Sequence, residues 1–182
     1  MAAPSPPVIV TLQFDSESAA FFDRRREAYF PPAINHVGAH LTLFHNLPGG
    51  AFEAIVTKAA RVCAARKAFE ATVCGLMKLG RGVAYRIEAP ALTALRAELA
   101  AAYEPWLVRQ DRQRFRPHVT IQNKVSPEEA AALHDRLSSS FEPFTARGEG
   151  LQFWFYEGGA DPQGKYRPGT WAPAGAIAFR SV

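Results

Sequence analysis

Two short stretches of this 182-residue chain carry the side chains best suited to chemistry: His40-Leu41-Thr42-Leu43 and His118-Val119-Thr120-Ile121. Each reads His-x-Thr with apolar residues interleaved. In a strand, successive side chains take opposite faces, so His40 and Thr42 share one face while Leu41 and Leu43 share the other. His118 and Thr120 stand likewise against Val119 and Ile121. Burial of the aliphatic face fixes the register, because a slip of one residue would bury the histidine instead. Two imidazoles, whose unperturbed pKa is about 6.5, can divide the work of proton acceptor and proton donor near neutral pH. The two hydroxyls can donate to the oxygens of a phosphate. Placed on opposite sides of phosphorus, such a pair would serve an in-line displacement.

The elements that must position these strands are legible along the chain. Val8 to Phe14 reads as a strand, and Asp15-Ser16-Glu17-Ser18 offers caps for a helix to about Tyr29, ended by Pro31 and Pro32. The run Arg24-Arg25-Arg26 is expected on a solvated face of that helix. The first motif belongs to an expected strand from Ala39 to Phe44. After it, Pro48-Gly49-Gly50 marks a loop, and Phe52, Ile55, Val56, Ala59 and Val62 follow helical spacing. Phe69 to Leu76 and Val83 to Glu88 read as strands joined by a hairpin with a basic tip at Lys78 to Gly82. Pro90 opens a helix with Leu92, Leu95, Leu99, Ala102 and Trp106 on one stripe. A basic loop, Asp111 to Arg116, leads into the second motif. Ser126, Pro127 and Glu129 form a capping box for another helix. The tail predicts a strand around Leu151 to Tyr156, a Gly/Pro-rich loop at Gly158 to Pro162, and a last strand near Ala176 to Arg180. A strand followed by a helix after each motif is a sign of internal duplication. No linker divides the chain, so one domain over residues 1–182 is expected.

With 48% hydrophobic and 21% charged residues, the composition is that of a globular protein, and a net charge of +4 favours an anionic ligand without requiring nucleic acid. Cys63 and Cys74 lack metal spacing and read as reduced and structural. The N-terminus, without a basic n-region or long apolar stretch, is expected to be neither signal peptide nor anchor, which leaves a cytoplasmic location by default. A monomer suffices.

The paired motifs, the Arg114-Phe115-Arg116 lead-in, Gln122-Asn123-Lys124-Val125 and the Trp154 to Gly159 segment resemble the 2H phosphoesterase superfamily, in its 2′-5′ RNA ligase-like branch. The resemblance implies an α+β fold: two lobes related by a pseudo-twofold, two antiparallel sheets flanked by helices around a central cleft. It implies metal- and cofactor-independent hydrolysis of a 2′,3′-cyclic phosphate or 2′-5′ phosphodiester of RNA or nucleotides, with ligation as the reverse reaction. His40 and His118 would be catalytic, with the lean towards His40 as acid and His118 as base. Thr42 and Thr120 would bind phosphate. Many relatives carry an arginine three residues after the second threonine, where this chain has Asn123. Charge neutralisation then falls to Lys124, Arg116 or Arg81.

Other residues have more ordinary readings. A metal site at His36, His40 and His45 is disfavoured by spacing, and on a regular strand His45 would face away from His40. Trp154 and Tyr156 share one strand face and Phe153 and Phe155 the other. One set belongs to the core, and the other, with Trp171 as a further candidate, could stack on a base. The chief alternative to an enzyme is a non-catalytic RNA- or nucleotide-binding module on the same cleft, recognisable by affinity without turnover.

Overall fold

The computed structural model describes residues 5–160 and 166–181, with the side chains of 159–168 outside the description. Among the described residues, seven strands and four α-helices follow one another as β1 (Val8–Phe14), α1 (Ser16–Tyr29), β2 (Thr42–Leu47), α2 (Phe52–Cys63), β3 (Phe69–Lys78), β4 (Val83–Glu88), α3 (Pro90–Ala102), β5 (His118–Gln122), α4 (Pro127–Ser138), β6 (Phe144–Ala160) and β7 (Tyr166–Ala178). The caps act where the side chains indicate: Asp15 accepts the Ser18 N–H at 3.2 Å, and Ser126 and Glu129 close a reciprocal capping box. Cys63 and Cys74 are free thiols.

All strand pairs are antiparallel, in the order β2-β1-β6-β3-β4-β5, with β7 also on β6. The two expected sheets are therefore hydrogen-bonded into one. β6 is long enough to serve both: Phe144–Gly148 pairs with β3, whereas Gly150–Ala160 pairs with β7 and Gly148–Phe155 with β1. Each half is four strands, sharing β6.

The order β1-α1-β2-α2 repeats as β4-α3-β5-α4, with a motif at the start of the second strand each time. The first helix of each repeat crosses to the other half. α1 leaves β1 yet sets Phe21 5.8 Å from Tyr85 of β4 and 4.7 Å from Phe144. α3 leaves β4 yet ends at Tyr103, whose ring meets Phe44 of β2 at 5.1 Å. Leu41, Leu43, Val119 and Ile121 are all buried, as the alternation requires. A one-residue slip would forfeit roughly 1.5–3 kcal/mol for each of these side chains, which pins the motif register.

Three local expectations change. β2 begins at Thr42 rather than Ala39, so His40 lies just before the strand, although the Leu41 carbonyl still accepts Leu12 N–H at 2.9 Å. Register shifts around Val10 and Phe44 bury Leu43 and Phe44 in succession, and the bulge returns His45 to the side of Thr42, not the opposite face. Gly158 to Ala160 continue β6, and Trp171 lies within β7; Asp161 and Pro162 fall outside the described residues. Glycine and proline read as loop there, but β7 pairs only with β6 among the described strands, and an edge strand tolerates residues that cannot donate on its outer side.

Candidate active site

β2 and β5 stand at opposite ends of the sheet path. A flat sheet would separate them by about 24 Å, five spacings of roughly 4.8 Å. Helix α1 closes that distance. Asp23 accepts the Ala39 N–H at 2.7 Å and so holds the segment that delivers His40. Arg26, one turn further, donates to the Thr120 carbonyl of β5 at 3.0 Å and to Asn35 Oδ1 at 2.8 Å. Residues three apart are neighbours on a helix surface, so one helix face grips both motif segments. The sheet must bend to permit this.

The arginine run places Arg26 in solvent with Arg24 and Arg25. Instead it is buried, with its guanidinium 3.9 Å over Phe30. Desolvation lowers its pKa to about 10, against the opposing pull of Asp23, so it remains charged at neutral pH. The spacing carried a signal: Arg26 lies one turn after Phe22 and one before Phe30, both buried, which puts it on the inner face.

The two imidazoles are held identically by their own chains. His40 Nδ1 lies 2.8 Å from the Gly38 carbonyl and His118 Nδ1 lies 2.7 Å from the Arg116 carbonyl, each two residues back. A carbonyl only accepts, so Nδ1 carries the hydrogen and Nε2 is the atom left for proton transfer. Their surroundings differ. The His40 ring packs 4.4 Å from Trp171, and its pKa is pushed down to about 4. Desolvation is the main cause; the Gly38 carbonyl opposes it, and the charges of Arg26, His118 and His45 add to it. The residue keeps a solvent-facing edge, but the cleft walls outweigh it. The charge of His118 is among the causes of the His40 shift, so the two imidazoles act on each other through space.

Thr42 pairs with Thr11, and Thr120 stands opposite Ala84, both half-buried on the histidine side of their strands. Trp154 donates Nε1–H to Thr11 Oγ1 at 2.9 Å and lies 6.1 Å from Trp171, whereas Phe153 and Phe155 turn to the core against Phe52. Tyr156 shares the face of Trp154; Gly158 and Gly169 lie so close under its ring that a Cβ on either would collide with it. Of the basic candidates, Arg116 lines a pocket beside His118. Arg81 instead ties the β3–β4 hairpin to the loop after β5, its Nε donating to Val125 O at 3.0 Å. Lys124 is exposed in a left-handed turn (φ 62°) beyond β5. Arg86, directly opposite His118 across the β4–β5 ladder, had no mark beyond strand alternation, because pairing partners cannot be read from a single strand.

A second joint mirrors Arg26. Buried Arg96 of α3 donates to Leu43 O at 2.7 Å and to the Asp111 carbonyl, and stacks 3.9 Å over Phe44. Burial alone would raise the Asp111 carboxyl. Hydrogen bonds from the His45 ring and from the backbone N–H groups of His45 and Asn46 outweigh it and hold Asp111 below the usual carboxylate range. His45 is thereby committed to Asp111. Among the described residues no three His, Cys, Asp or Glu side chains converge as a metal site.

A bent antiparallel sheet with paired His-x-Thr segments across its cleft is the architecture of a 2H phosphoesterase. The model of the 2′-5′ RNA ligase superfamily matches residues 14–160, and the chain belongs to that family. The superfamily comprises phosphoesterases and RNA ligases, so its chemistry is of the phosphodiesterase type. Solved structures with the same fold include TT0787 of Thermus thermophilus, at 16% identity and a TM-score of 0.66 over 96% of this chain and 98% of that one. Escherichia coli LigT in apo form matches at 17% and 0.60 over 98% and 99%, and LigT complexed with 3′-AMP at 16% and 0.58 over 96% and 98%. At these identities the likeness is one of fold. A search of curated proteins gives no match. Among the described residues no helix is long and apolar enough to cross a membrane.

Proposed function

We propose that this chain is a metal-independent phosphodiesterase that opens the 2′,3′-cyclic phosphate, or cleaves a 2′-5′ phosphodiester, at the end of RNA or a nucleotide. The observation that carries this reading is the matched pair of imidazoles, each with Nδ1 on a backbone carbonyl and Nε2 free for proton transfer. Hydrolysis needs a proton taken from the attacking water and another given to the departing ribose oxygen, and the pair supplies both. Thr42 and Thr120, roughly 6.5 Å further along each strand, donate to the non-bridging oxygens. Arg26, charged beneath the site, adds fixed positive potential for the phosphate.

His40 takes the base role. Burial pushes its pKa down to about 4, so it is neutral at pH 7 with Nε2 open to a proton, the state an acceptor needs. His118 is then the acid, the reverse of the order that the family resemblance leans towards. The pH profile of kcat/KM separates the two orders. With His40 as base, activity rises through about pH 4 and holds towards neutrality; with His40 as acid, it falls tenfold per unit above that value. The function itself is tested with 2′,3′-cyclic mononucleotides, cyclic-phosphate-ended oligonucleotides and 2′-5′ dinucleotides, with and without EDTA. Turnover insensitive to EDTA is expected, and binding of RNA with no turnover of any of these substrates would leave only a binding module.

A further inference from the structure

A third histidine, outside both motifs, is held by a buried carboxylate. His45 Nδ1 lies 2.9 Å from Asp111 Oδ1, and the backbone N–H groups of His45 and Asn46 donate to the same carboxylate at 3.0 and 3.3 Å. Those bonds keep Asp111 ionised although its side chain is only 1% exposed. An ionised carboxylate only accepts, so Nδ1 carries the hydrogen and Nε2 is left open on a side chain 43% exposed. Among the described residues Asp111 is the one hydrogen-bond partner of the ring. His134 shows the incidental version of such a pair. Its Nδ1 lies 3.0 Å from Asp135, the next residue along, whose carboxyl is 70% exposed. A solvated pair of that kind contributes little. Asp111 instead comes from 66 positions away and is itself fixed, because buried Arg96 bonds both its carbonyl and that of Leu43.

Strand register places the ring. Thr42 faces Thr11 and Phe44 faces Val10, just as Thr120 faces Ala84 and Gln122 faces Val83, so each copy shifts register straight after its threonine. Two buried residues follow in succession in both, Leu43-Phe44 and Ile121-Gln122. In β2 the bulge then returns His45 to the side of Thr42, about 6.5 Å further along the strand. The charge of His45 is felt at His40. The counterpart in β5 is Asn123, whose Oδ1 accepts the neighbouring Lys124 N–H at 2.8 Å. One copy therefore has a local turn where the other presents an imidazole. We propose that His45 contacts substrate: with Nδ1 fixed by Asp111, its Nε2 bonds a non-bridging oxygen of the reacting phosphate beside Thr42. A phosphate oxygen accepts, so the contact is made by the imidazolium, with Asp111 as counter-ion. Asp111, acting through His45, is a positioning residue. The inference rests on the phosphodiesterase reading above and adds a residue to that site.

Two amide variants separate being held from holding the anion. His45→Asn sets an N–H where Nδ1 stood, which keeps the Asp111 bond, and has no atom in place of Nε2. His45→Gln does the reverse. Tm should therefore stay closer to wild type in His45→Asn. Affinity for inorganic phosphate, read by isothermal titration calorimetry, should fall at least about tenfold in His45→Asn and less in His45→Gln. kcat/KM for a 2′,3′-cyclic mononucleotide should follow the phosphate affinity. An affinity that follows Tm instead, no phosphate binding by the wild type, or unchanged affinity or kcat/KM in His45→Asn would overturn the contact. Absence of wild-type turnover, with the affinities in the expected order, would sink the catalytic reading alone.

Discussion

In the half of the molecule built on β1, β2 and β7, His40 is packed 4.4 Å from Trp171, and its proton is driven off by burial with the charge of Arg26 adding to the effect. In the other half, His118 stands within β5 beside Arg86 and the arginines of the loop before it, next to an open basic pocket. The backbone treats the two alike, with Nδ1 on the carbonyl two residues back. A duplicated scaffold has therefore kept the geometry of proton transfer and divided the environment: an aromatic, desolvated wall on one side and a cationic, solvated wall on the other. The desolvated wall keeps His40 neutral, the state a proton acceptor needs.

The comparison breaks first at the histidines. His40→Ala and His118→Ala should each lower kcat by about 10²–10⁴-fold with Tm little changed, since each removes one proton-transfer group from a half-exposed position. A variant that keeps wild-type turnover would end the idea of a divided pair. Next come the hydroxyls. Thr42→Val and Thr120→Val keep the β-branched shape and lose one donor to a charged oxygen, so kcat/KM should fall by about ten- to a hundredfold in each, and by similar factors if the halves are functionally matched. The smallest effect sharpens the comparison most. Arg26→Met and Arg96→Met each remove a buried guanidinium that bonds a motif-strand carbonyl, at a cost of about 1.5–3 kcal/mol seen in denaturant unfolding. Only Arg26→Met should also move the acid limb of kcat/KM to higher pH, because its charge helps to hold the His40 pKa down. A limb that stays in place in Arg26→Met, or moves equally in Arg96→Met, would show that Arg26 does not act on His40.

The helices and strands were legible because their signals are local: Asp15 and Ser126 as caps, Pro31 as a stop, alternation around His118. Errors gathered where tertiary contacts override local preference. Gly158 and Trp171 look like loop, yet pairing along β6 extends both strands of the final hairpin. Arg26 looks like one of three solvated arginines until Thr120 and Asn35 claim it.

By itself the sequence determined which four side chains face away from the core, because alternation of His and Thr with buried Leu, Val and Ile admits one register. It could not say that β2 and β5, at the two ends of one sheet, are tied to a single helix; that depends on α1 crossing from its own half to hold Ala39 with Asp23 and Thr120 with Arg26. Nor could it tell His40 from His118, since desolvation and neighbouring charge act through space and belong to the folded surroundings rather than to the residue.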